Sequence, residues 1–160
     1  STQSRSSAAS DVYKRQRRCN ILKKNTILYS LAVVLLSGIG LLEFERGFFW
    51  TKEQNDILDD SDFYLALHHI MPIWVWGVLG MICSIFIIIA PFFLPKQKLN
   101  HIFDYLILIG GCGNAIFYFF MTSASVYNAI NWLSPLQFAT ITMINVGLAF
   151  FGGAEIVRRK

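Results

Sequence analysis

Four long apolar runs, 26–42, 70–94, 104–126 and 135–157, dominate the chain. They hold only two formal charges, Asp104 and Glu155, each at the end of its run. A helix needs about 20 predominantly apolar residues to cross about 30 Å of hydrocarbon, and all four runs approach or exceed that length. Composition agrees, because only 15% of the 160 residues are charged and 54% are apolar, whereas soluble domains carry about 25% charged residues. The expected fold is an all-α membrane protein, an antiparallel four-helix transmembrane bundle with both termini cytoplasmic.

The first sixteen residues stand apart. The string Asp11-Val-Tyr-Lys-Arg-Gln16 resembles the translation of the mosaic-end adapter used in transposase-based sequencing libraries. That resemblance covers six residues and implies that 1–16 is adapter-derived; the rival is a native, polar, disordered tail. On either reading 17–160 forms a single four-span domain. Setting aside Arg5, Asp11, Lys14 and Arg15 halves the net charge of +4. No basic stripe interleaved with aromatics is then left, so nucleic-acid binding is not expected.

The remaining charges sort by loop. Arg17, Arg18, Lys23 and Lys24 precede the first run, Lys96 and Lys98 lie between the second and third, and Arg158-Arg159-Lys160 follows the fourth. The segment 43–69 instead holds seven acids against Arg46 and Lys52, and 127–134 is uncharged. Lys and Arg near spans are retained in the cytoplasm, which puts 43–69 and 127–134 outside. Trp50, Trp74, Trp76 and Trp132 then fall at or beyond the outer interface, where amphipathic rings settle. Lys23-Lys24, the apolar run and Ser37-Gly-Ile-Gly40 also permit a cleaved signal peptide, although the run continues through Leu41-Leu42.

Local punctuation sets boundaries. Ser134-Pro135-Leu136-Gln137 reads as an N-cap, N1 proline and N3 glutamine opening the fourth helix. Pro72 suits the first turn of the second helix, and Pro91 should kink or end it. Helices in lipid associate through small and polar residues. Gly77, Gly80 and Ser84 supply such a stripe on the second helix, Gly111 and Ala115 on the third, and Thr142, Asn145, Ala149 and Gly152 on the fourth. Asn114 and Asn145 both fall near the bilayer midplane, where an unpaired amide is costly. A hydrogen bond between them is expected to fix the register of the third and fourth helices.

Candidate chemistry is sparse. Cys19, Cys83 and Cys112 lack the paired spacing that disulfide exchange requires. His68-His69 beside Asp59, Asp60 and Asp62 invites a metal, but adjacent helical residues diverge by about 100° and Asp62 lies about 10 Å from His69 along a helix. A haem held by His68 or His69 and His101 would have to span about 30 Å; only His69 and Met121 share a depth. No charge lies more than a turn inside a span, which argues against proton pumping or voltage sensing. No nucleotide-binding, hydrolase or metalloprotease pattern occurs, so no enzyme and no cofactor are expected.

The outer segment 43–69, with Trp50, Asp59, Asp60, Asp62, His68 and His69, could dock a protein partner or lie on the membrane surface; a short amphipathic lid over the bundle with no partner is the equal rival. The expected function is therefore a non-enzymatic integral membrane protein acting through protein contacts, as an accessory, immunity-like or assembly component, alone or as a homo-oligomer. A small permease or pore subunit is the alternative, and a redox subunit carrying haem on a His/Met pair ranks third.

Overall fold

The computed structural model describes residues 2–53, 65, 68–96, 100–128 and 132–159. They form α1 (Thr2–Lys52), α2 (Ile73–Phe93), a 3-10 turn (Leu94–Lys96), α3 (Ile102–Asn128) and α4 (Leu133–Arg158). No strand occurs among the described residues. Four segments, Thr26–Lys52, Ile73–Phe93, Ile102–Val126 and Leu133–Arg158, are long and apolar enough to cross a membrane. Val34, Leu42, Phe150 and Phe151 each expose more than two thirds of their surface, the pattern of a multi-pass membrane protein whose outward faces meet lipid.

The first span runs past the charge-free window. The apolar run stops at Leu42, but α1 continues to Lys52 and carries Glu43, Glu45, Arg46 and Trp50 with it. Burial explains why: Gly40, Glu43, Gly47 and Trp50 are all buried, and their 3-4-3 spacing is the one-face period of a helix. The segment expected as an outer loop from residue 43 is thus helical through Lys52, and residues 54–64 of it lie outside the described residues.

Each helix packs chiefly on its neighbour in sequence, α1 on α2, α2 on α3 and α3 on α4. Glycines let the backbones approach. A Cβ on Gly47 would sit 2.6 Å from the Gly77 carbonyl oxygen, and one on Gly77 would sit 2.5 Å from that of Gly47. Between α3 and α4, a Cβ on Gly111 would meet the Asn145 carbonyl oxygen and the Ala149 nitrogen at 2.8 Å, and one on Gly152 would meet the Asp104 carbonyl oxygen at 2.6 Å. Such proximity matters in lipid, where van der Waals packing and polar contacts hold helices together.

Two apolar clusters flank the middle of the bundle. One gathers Trp50, Ile73, Trp76, Phe117, Tyr118, Met121 and Phe138. Its rings meet edge-on or tilted, with Trp50 and Phe117 centroids 5.2 Å apart and Phe117 and Tyr118 5.0 Å apart. The other joins Ala90, Phe103 and Ile107. Beside it, Arg159 ties the end of α4 to the start of α3, with Nη1 3.9 Å from Asp104 Oδ2 and Nε 2.7 Å from Glu155 Oε1.

The proline positions are informative. Pro72 is the N-cap of α2 and Pro91 is accommodated within its last turn, before the 3-10 turn through Pro95. The expected capping box at Ser134 is not formed: α4 begins at Leu133 with Trp132 as N-cap and no side-chain cap. Pro135 still lies in the first turn, where its missing N–H breaks no helical bond.

Candidate functional site

Glu43 is the centre of the bundle's polar interior. Its side chain leaves α1 between Gly40 and Gly47, so the close contact with α2 presses it inward, and 3% of the residue remains exposed. Asn114 Nδ2 of α3 donates to Oε2, and Asn145 Nδ2 of α4 donates to Oε1, each at 2.5 Å. The second donor of each amide is also engaged. Asn114 Nδ2 donates to Ser84 Oγ of α2 at 3.2 Å, and Asn145 Nδ2 to the Ile141 carbonyl at 3.0 Å. Ser84 Oγ in turn donates to the Gly80 carbonyl at 2.7 Å. One network therefore touches all four helices, and Ser84, Asn114 and Asn145 are fully buried.

Two expectations are corrected here. The spans do contain an acid well inside the bundle: Glu43 pairs with residues at the middles of α3 and α4, not with groups at a helix end. Asn114 and Asn145 do not bond to each other. Both turn their N–H groups to the Glu43 carboxyl oxygens, and both Oδ1 atoms are left buried without a partner among the described residues.

One face of Glu43 borders a cavity of about 930 Å³. Its walls come from α1 and α4, which share none of the main packing interfaces, and Tyr118 of α3 contributes to its lining. Ile39, Leu42, Ile141 and Ile144 make an apolar stretch beside Glu43, while Glu45, Arg46, Ser134 and Gln137 make a more polar one towards the Lys52 end of α1. The Arg46 guanidinium lies over the Phe138 ring, 4.8 Å from its centroid, a cation–π arrangement. Among the described residues it makes no ion pair with Glu43.

The residues singled out from sequence divide cleanly. Asn114, Asn145, Gly111 and Ala149 meet where α3 crosses α4, with Ala115 buried on the same stretch of α3 and Gly152 about two turns beyond Asn145 on α4. Trp50 is 2% exposed in the aromatic cluster, so its indole is not available on the surface to a partner. His69 is exposed and His68 half-buried, and Asp59, Asp60 and Asp62 lie outside the described residues. Met121, the residue at haem-compatible depth, is fully buried among the aromatics. No group of three His, Cys, Asp or Glu side chains able to hold a metal occurs among the described residues.

Glu43, Arg46 and Tyr118 were not legible as site residues, yet a signal existed. Extending the helical period beyond Leu42 aligns Glu43 with Gly40 and Gly47 on one face. No protein family, curated protein or solved structure matches the chain.

Proposed function

We propose that the chain is a membrane-embedded binding protein of the small-permease class, acting on its ligand without chemistry and receiving it in the cavity between α1 and α4. The observation that carries this reading is a buried carboxylate on the wall of a cavity of about 930 Å³, the upper part of the range for small-molecule sites. Ionisable side chains inside membranes are costly and mark substrate or ion pathways. The reading through protein contacts rests on segment 43–69; with Trp50 buried and the aspartates outside the described residues, it ranks second.

In this proposal the four spans run antiparallel, both termini face the cytoplasm, and the connections after α1 and α3 face outward. The loop charges support that orientation through the retention of Lys and Arg on the cytoplasmic side. The cavity then lies in the outer half of the bilayer.

Cysteine accessibility tests the reading. In a background lacking Cys19, Cys83 and Cys112, a Thr140→Cys thiol on the cavity wall should react with a small methanethiosulfonate at least tenfold faster than one at Phe150, which faces lipid. Equal, slow reaction at both positions would show a cavity closed to solutes.

A further inference from the structure

We propose that the ligand of this cavity is an amphiphilic primary ammonium ion, bound with its N–H groups on Glu43 and its apolar body against Ile39, Leu42, Ile141 and Ile144. The inference rests on the binding reading above and adds the chemical class of the ligand.

Charge supplies the first argument. The cavity wall carries two carboxylates, Glu43 and Glu45, and one guanidinium, Arg46. Arg46 is directed onto the Phe138 ring at 4.8 Å and forms no ion pair with either acid among the described residues. The site thus holds, at its deepest polar point, an acid with no cationic partner among the described residues, and a bound cation would supply one.

Hydrogen-bond capacity supplies the second. An ionised carboxylate accepts about four hydrogen bonds, and Asn114 and Asn145 provide one to each oxygen. Both amides have committed their remaining donors elsewhere, to Ser84 and to the Ile141 carbonyl. Glu43 is the member of this network on the cavity wall, and the acceptor capacity these amides leave unfilled there calls for donors, not acceptors. An ammonium has three donors and no acceptor. A carboxylate or phosphate ligand would add acceptors to a place already short of donors.

Access supplies the third. The seam between α1 and α4 is outside the main helix–helix interfaces, and Leu42 and Ile144 on its two sides are exposed. A solute entering through that seam comes from the hydrocarbon phase, which selects an amphiphile over a small hydrophilic amine. Phe49 on the same wall adds a ring face that attracts a cation.

The test uses the full chain in nanodiscs of zwitterionic lipid and three matched probes: 4-phenylbutylammonium, 4-phenylbutan-1-ol and 4-phenylbutyrate. Binding is followed by calorimetry. The ammonium should bind about tenfold or more tightly than the alcohol, as a charge-assisted hydrogen bond requires, and the carboxylate should bind weakest. Glu43→Gln should erase the difference between ammonium and alcohol, and Ile144→Trp, which fills the cavity and leaves the polar network intact, should weaken all three. Equal affinity of alcohol and ammonium in the unmodified chain, a preference for the carboxylate, or discrimination that survives Glu43→Gln would overturn the assignment while leaving the cavity a binding site. Absence of binding by every probe overturns it too; a reactive Thr140→Cys thiol would then keep the binding reading, and an inert one would remove both.

Discussion

Asn114 and Asn145 grip the same carboxylate from two helices, one amide on each oxygen of Glu43. Their relation is therefore indirect, and its strength should depend on the acid between them. A double-mutant cycle of Asn114→Leu and Asn145→Leu should show coupling of about 0.6 kcal/mol or more, the average for interhelical polar pairs in membranes. Repeating the cycle in a Glu43→Leu background should reduce the coupling to zero. Coupling that persists there would mean the two amides communicate by another route.

Substitutions of Glu43 itself should separate shape from charge. Glu43→Gln keeps an acceptor for one asparagine and offers a donor to the other, whose free Oδ1 can turn to accept it; thermal unfolding in detergent should move little. Glu43→Leu leaves two buried amides without their acceptor, at about 1–3 kcal/mol for each orphaned group. A Leu variant as stable as the Gln variant would contradict the network.

The glycines make a contrast that needs no ligand. Gly47→Ala places a methyl 2.6 Å from the Gly77 carbonyl oxygen, and overpacking of this kind costs about 1–3 kcal/mol. Gly38 and Gly147 have no atom within 4 Å of an added Cβ, so Gly38→Ala and Gly147→Ala should instead stabilise by about 0.5–1 kcal/mol through helix propensity. Unfolding midpoints in one detergent rank the three variants; an unaffected Gly47→Ala would place α1 and α2 further apart than described.

The orientation proposed here is checked with impermeant maleimide on intact cells. Single cysteines at Asn55 and Asn131 should label from outside, and one at Gln97 only after permeabilisation. Labelling of Gln97 without permeabilisation would reverse or break the topology.

How much of this was written in the sequence follows from the size of each signal. Apolar runs of bilayer length are unambiguous, so the four spans could be read directly, and Asn114 and Asn145 stood out as interior amides although not with the acid that they share. Glu43 could not, because the same acid that organises the interior also ended the apolar window used to define the first span. Hydropathy treats every charge as a boundary, whereas burial in a bundle is decided by the face a residue shares with its neighbours. Gly40, Glu43, Gly47 and Trp50 carry that face in their spacing alone. The cavity was not legible at all, since it arises from a pair of helices that do not pack closely, and no local pattern records a missing contact.

The neighbour-on-neighbour packing of the helices has a consequence for biosynthesis. From α2 onwards each helix leaving the ribosome finds a packing neighbour already made, so assembly can follow the order of translation with few distant contacts to wait for. Glu43 is the exception: the acid is synthesised with the first span, but the amide for its second oxygen arrives only with the last. Until Asn145 enters the bilayer the nascent chain carries a half-satisfied carboxylate, and completion of that hydrogen bond distinguishes a finished molecule from a truncated one.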